Sequence, residues 1–218
     1  MCLLRKATIV AAAIVGVSTV AASFESAQAQ SPIAATLAYR ANGGYEGHKA
    51  KAGGRTWNKI PREIVDYDGG YKPGTIVIDT GERRLYLVLG EGKAMKYGIG
   101  VGRPGFQWSG SHRITRKAEW PGWTPPPPMR KRQPDLPAYV PGGPNNPLGA
   151  RAMYLGSSWY RIHGSNEPWT IGQAVSSGCF RMTNDDVIDL YERVPVGTLV
   201  IVKQGKPPEE LQMVEATN

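Results

Sequence analysis

The sequence predicts a mainly β domain with one or two short helices and a long proline-rich loop. Three observations carry that expectation. Short runs rich in Val, Ile, Leu and Tyr recur between glycine-containing turns. A single clear stretch, after Thr183, places apolar residues at helical spacing. Between Trp120 and Pro147, proline is too frequent for a central strand.

Taken in order, Thr75-Ile76-Val77-Ile78-Asp79 and Leu85-Tyr86-Leu87-Val88-Leu89 read as strands, with Thr80 to Arg83 as their hairpin loop. Met95 to Val101 reads as a third strand closed by Gly102, and Arg113 to Trp120 as a weaker fourth. The segment from Trp120 to Pro147 has two open readings. Its aromatics (Trp120, Trp123, Tyr139) suit a loop packed beside a binding cleft, and its prolines suit a plain surface excursion. Strand signals return at Ala152 to Leu155 and Trp159 to Ile162, with Gly156-Ser157-Ser158 as the turn. A helix is predicted after Thr183-Asn184-Asp185-Asp186, with Val187, Leu190, Tyr191 and Val194 on its apolar face. Pro195 and Gly197 end it, and Thr198 to Val202 forms a last strand.

Outside these elements the chain reads differently. Arg5 and Lys6 precede an uncharged run from Ala7 to Ala22, and Ala27-Gln28-Ala29 follows. That order describes a secretory signal peptide over residues 1–29, the alternative being an uncleaved anchor. Residues 30–60 are low in apolar side chains and read as a flexible lead, 61–205 as the folded domain, and 206–218 as a loose tail. On this reading the mature protein is exported and does not span a membrane.

The formal net charge is +8, and removal of Arg5, Lys6 and Glu25 with the signal leaves +7. The basic residues are scattered except at Arg130-Lys131-Arg132, and no nucleic-acid motif accompanies them. A solvated basic surface is the simpler account. An anionic envelope polymer is the partner expected if the charge acts at all.

Of two cysteines, Cys2 leaves with the signal and Cys179 remains alone. A lone cysteine is often a small buried hydrophobe. Here it follows Gly178 in a Ser/Gly turn just before the predicted helix. Backbone N–H groups of such a turn favour an anion, so they suit a thiolate or the oxyanion of a tetrahedral intermediate. One oxyanion donor is worth about 10²–10³ in rate. Gly178 lets the backbone come close to a substrate carbonyl.

A thiol also needs a base. His48 falls in the lead, His112 reads as an exposed strand residue, and His163 ends an apolar strand. His163 is therefore the candidate, against the ordinary role of a buried, hydrogen-bonded histidine. Arg181 shares the strand face of Cys179, since i and i+2 point the same way. It suits either a substrate carboxylate or a salt bridge to Asp185 or Asp186. Ser176 and Ser177 suit orientation of the loop or substrate, or simple turn formation.

His163-Gly164-Ser165 followed by Ser176-x-Gly178-Cys179-Phe180-Arg181-Met182 resembles the L,D-transpeptidase catalytic domain, also called the YkuD domain. The resemblance runs from about Pro73 to Val202. Tyr97 to Gly102 and Pro147-Leu148-Gly149 resemble its upstream segments. It implies a β-sandwich of mixed sheets and an envelope or periplasmic location. It implies that Cys179 attacks the bond after meso-diaminopimelate in a peptidoglycan tetrapeptide stem, releasing D-Ala and leaving a thioester. An amine from a second stem, or from an envelope protein, then takes the acyl group, making a 3→3 cross-link or an anchor for cell wall biogenesis. Water in its place would make an L,D-carboxypeptidase. His163 is implied as base, Gly178 and Cys179 as oxyanion donors, and Gly164, Ser176, Ser177 and Arg181 as the surrounding site. No metal or organic cofactor is implied.

Two departures stand out. Ser177 occupies a position that is often histidine in the family, which leaves His163 as the nearby base. Trp108-Ser109-Gly110 stands where a Thr-Pro-x-Gly turn is common. Two other readings compete. A sortase-like transpeptidase would need a Thr-Leu-x-Thr-Cys strand, which is absent. A non-catalytic envelope-binding or scaffold protein would need neither Cys179 nor His163.

Overall fold

The structure is a computed structural model and describes residues 59–206. The expected signal segment, nearly all of the lead and nearly all of the tail lie outside the described residues. Eleven strands and two α-helices follow in order: β1 (Glu63–Asp66), β2 (Ile76–Asp79), β3 (Arg84–Gly90), β4 (Lys93–Gly98), β5 (Val101–Gly102), β6 (Gly110–Glu119), α1 (Pro127–Arg132), β7 (Arg151–Leu155), β8 (Arg161–His163), β9 (Ala174–Ser176), β10 (Phe180–Arg181), α2 (Asn184–Arg193) and β11 (Leu199–Lys203), with a short 3-10 turn at Pro168–Thr170 between β8 and β9. The expected class holds: the domain is mainly β, its sheets are mixed, and its helices are few.

Nine strands form one sheet in the order β1-β4-β3-β2-β11-β6-β7-β8-β10, and β5 pairs with β9 separately. The long strand β6 joins two halves. Its residues Gly110 to Arg113 pair with β11, and Ile114 to Glu119 pair with β7 across a register shift between Ile114 and Arg116. A bulge of this kind lets one strand turn a corner between two packed layers. Ile76, Ile78, Leu85 and Leu87 from one half then share a core with Ile114, Met153, Leu155, Ile162 and Phe180 from the other. Burial of such side chains contributes roughly 1.5–3 kcal/mol each before entropy is counted.

The structure corrects several sequence expectations. The predicted strand from Met95 to Val101 breaks after Gly98. Gly100 exchanges two 2.9 Å backbone hydrogen bonds with Arg181 instead, and β5 turns to β9. The segment expected as a weak strand after Arg113 is the longest one, starting at Gly110. Strands β1, β9 and β10 were too short or too polar to show a period. The proline-rich segment is not wholly irregular. It holds α1, whose prolines sit in the first turn where a missing N–H costs nothing, and a bridge from Trp123 to Val140.

Helix α2 forms as its sequence signals. The Thr183 hydroxyl accepts the N–H of Asp186 at 3.1 Å, and Asp185 and Asp186 lie in the first turn. Val187, Leu190 and Val194 enter the core. Lys117 of β6 donates to the carbonyls of Tyr191 and Val194 at 2.6 and 2.7 Å, closing the far end. The first helical residue, Asn184, has a further task. Its buried Oδ1 accepts the N–H of Ala150 at 2.9 Å and of Ser165 at 3.2 Å. It thereby ties the segment that follows β8 to the one that precedes β7.

Asn184→Ala should strand two buried N–H groups and cost about 2–4 kcal/mol. Urea unfolding of the variant beside wild type checks this, and a loss under 0.5 kcal/mol, the range of ordinary surface changes, would contradict it.

Candidate active site

Strands β8 and β10 run parallel with Arg181 opposite His163 and Phe180 opposite Ile162. Ile162 and Phe180 point into the core. Alternate residues of a strand point to opposite faces. Arg161 and His163 therefore share the outer face with Arg181, and with Cys179 one step before β10. The pairing alone brings these four side chains onto one surface.

That surface is the floor of a cleft of about 340 Å³, lined by Cys179, His163, Arg161, Arg181, Ser176 and Ser177 among others. Trp123, Pro126, Pro128, Met129 and Arg132 form a wall above it. Of the two readings left open for the proline-rich segment, the packed loop beside a cleft is the one observed.

The turn carrying the nucleophile candidate is tightly held. The Ser176 hydroxyl donates to the carbonyl of Cys179 at 2.6 Å and accepts the N–H of Gly178 at 3.1 Å. Gly178 has φ +105°, and a Cβ there would meet the Tyr160 ring at 2.6 Å. Only glycine satisfies both conditions. Its carbonyl accepts the Trp108 indole N–H at 2.8 Å, and Trp108 stacks on Tyr160 at 4.5 Å. The departure at Trp108 thus supplies a prop for the cysteine turn. His112, expected as an exposed strand residue, is half-buried, with its ring edge-on to Trp108 at 5.3 Å.

The N–H of Gly178 is already bonded to Ser176, whereas the N–H of Cys179 takes no part in the turn's hydrogen bonds. The paired donors expected from sequence reduce to one free N–H in this arrangement. Ser177 accepts from Arg103 at 3.3 Å. Gly164 is buried against Asn184 and Val187, so it positions the strand end and is closed to substrate.

His163 is 5% exposed, and its Nδ1 lies 2.6 Å from the carbonyl of Gly164. A carbonyl only accepts, so Nδ1 carries the proton and Nε2 keeps its lone pair. Burial, with the charges of Arg181 and Arg161 beside it, pushes the pKa down to about 3. The imidazole is neutral at pH 7. Burial also raises the Cys179 thiol above its ordinary value, and Arg161 and Arg181 oppose that rise. The pair therefore rests as thiol and imidazole. Its S–H is directed to the carbonyl of Trp159 at 3.7 Å.

Arg181 donates to Glu167 at 2.9 Å and to Thr170 at 3.4 Å. The salt bridge to Asp185 or Asp186 considered from sequence is not formed: Lys59 lies 3.9 Å from Asp185, and Arg62 pairs with Asp186. Sequence reasoning missed Glu167, Trp108 as a prop, Asn184 and Arg161. Arg161 had a visible signal, since it sits two residues before His163 on a strand.

The profile of the L,D-transpeptidase catalytic domain family (YkuD) matches residues 73–202. The chain belongs to that family. It is similar to the probable L,D-transpeptidase ErfK/SrfK of Escherichia coli K12, 41% identical over 148 residues, covering 65% of this chain and 47% of that one. It is also similar to the probable L,D-transpeptidase YbiS of the same strain, 37% identical over 179 residues, covering 76% and 57%. The chain spans about half the length of these curated relatives. A solved structure of a probable carnitine operon oxidoreductase from Brucella melitensis is 48% identical and covers 65% of this chain and 92% of its own, with a TM-score of 0.46. A score of that size supports no inference about activity.

The depressed pKa of His163 has a consequence for stability. The unfolded chain takes up a proton near pH 6.5 and the folded one does so only near 3. Stability from this group is fully present above pH 6.5 and is lost as pH falls toward 3. Relative to a His163→Gln variant, wild type should lose roughly 3–5 kcal/mol across that window. Paired denaturant curves at stepped pH read the difference, and a gap that stays constant with pH would contradict the assignment.

Proposed function

We propose that this chain is a cysteine acyltransferase of the bacterial envelope that works on peptidoglycan stem peptides. The observation that carries the reading is the shared face of Cys179 and His163 in the cleft, inside a domain of the L,D-transpeptidase family. Sγ of Cys179 attacks the carbonyl carbon that follows meso-diaminopimelate in a tetrapeptide donor. Nε2 of His163 takes the thiol proton as the bond forms. The free N–H of Cys179 faces the oxyanion. The C–N bond to D-Ala breaks, the amine leaves with the proton from His163, and a thioester remains. An acceptor amine then attacks the thioester, His163 takes its surplus proton, and Sγ is released as the thiol.

The acceptor is a second stem, giving a 3→3 cross-link, or an amine on an envelope protein. Arg181 is set to meet a stem carboxylate with whatever guanidinium face Glu167 leaves open. Ser176 and Ser177 hold the turn and the cleft edge. Among the described residues no helix is long and apolar enough to cross a membrane. An exported protein acting at the wall fits this reading.

Purified protein incubated with a tetrapeptide stem should gain the mass of the tripeptide acyl group on Cys179, and Cys179→Ala should gain nothing. His163→Ala should slow acylation by about 10²-fold or more, while His48→Ala leaves it unchanged. Intact-mass time courses check all four proteins. Absence of any adduct on wild type would overturn the reading, and equal rates for the two histidine variants would overturn the base.

A further inference from the structure

Once the proton leaves Sγ, negative charge develops beside a base that is neutral at rest. His163 cannot hold that charge in advance, because its imidazole is kept unprotonated. The charged groups facing the cleft are Arg132 from α1, Arg161 from β8 and Arg181 from β10, with Glu167 behind Arg181 and the neutral, titratable His163 beside them. Arg181 is partly neutralised by Glu167 at 2.9 Å. Arg132 lies over the Phe106 ring at 4.8 Å on the opposite wall. Arg161 is different. Among the described residues no carboxylate pairs with it; its guanidinium donates to the carbonyl of Trp159 at 3.2 Å and lies over the Tyr154 ring at 5.3 Å. Its Nε is buried without a partner. A buried guanidinium N–H left unpaired is costly and calls for a ligand.

The register supplies that ligand. With Phe180 opposite Ile162, continuation by one residue sets Cys179 opposite Arg161 on the shared face. Arg161 and Cys179 line the same cleft, and the charge of Arg161 favours the thiolate. We infer that Arg161 is a catalytic residue of this site: it holds the developing thiolate of Cys179 while the thiol proton passes to Nε2 of His163. The S–H bond breaks, the electron pair stays on sulfur, and the guanidinium faces that pair until the C–S bond forms. This inference rests on Cys179 as nucleophile and deepens the function proposed above. Its test does not need the stem substrate.

The test is the rate of Cys179 alkylation by iodoacetamide between pH 6 and 10 in the full protein. Adducts are counted by peptide mapping, so that Cys2 does not interfere. An opposite charge at this range shifts a titration midpoint by about one unit or more. Arg161→Met should raise the thiol midpoint by about that much and slow alkylation at pH 7 about tenfold. Arg161→Lys should restore most of the rate. An Arg161→Met protein that melts like wild type and alkylates at the wild-type rate would overturn the inference. So would equal slowing in the Met and Lys variants, since shape rather than charge would then be the cause. Should Arg161→Met fail to fold, Arg161→Gln carries the same comparison. Failure of stem acylation in wild type would sink the proposed function and leave this titration readable.

Discussion

Five residues in two short parallel strands hold the site together. Arg181 of β10 lies opposite His163 of β8, and everything chemical follows from that register. A slip of one residue would turn Cys179 and Arg181 into the core and bring Phe180 out. The core forbids it, because Ile162 and Phe180 are both fully packed among residues of the two sheet halves. Hydrophobic burial thus sets the positions of four polar side chains that contribute little to burial themselves. Gly100 covers the outer edge of β10 with two backbone bonds, and Met182 donates to the carbonyl of His163 at 2.8 Å, so the pair is held on both sides. Asn184 then anchors the turn after His163 from the start of α2.

The electrostatics of the cleft follow from the same arrangement. Burial, and after it the charges of Arg181 and Arg161, keeps the imidazole neutral. Those arginines favour the thiolate, while burial disfavours it. At rest neither group is charged, and the charge separates only as the proton moves. Charges fixed in place before the reaction cost no rearrangement when the proton moves. Glu167 tempers Arg181 and leaves Arg161 as the less compensated cation. A wall of proline and aromatic side chains stands over this floor.

Much of this was legible in the residues, for physical reasons that differ by element. The hairpin of β2 and β3 and the capped helix α2 carry strong local signals, and both formed where expected. Cys179 stood out as the lone thiol beyond the expected signal segment, and His163 by its place at a strand end. What stayed hidden depended on distant partners. Gly100 reads as part of a strand until Arg181 takes its backbone. Strand β10 is two residues long and exists only because β8 and Gly100 flank it. Arg181 was read against the nearby Asp185 and Asp186, whereas its carboxylate comes from Glu167, fourteen residues earlier. Trp108 reads as a substitution in a loop, and its indole turns out to support Gly178 from seventy residues away.

The claim on which the account depends is that His163 faces Cys179 as a neutral imidazole with its proton on Nδ1. Nitrogen-15 NMR of the His163 ring as a function of pH reads both the charge and the tautomer. The account predicts a neutral ring with Nδ1–H and a bare Nε2 from pH 8 down to pH 5. A ring that titrates near 6.5, or one that carries its proton on Nε2 at neutral pH, would contradict it.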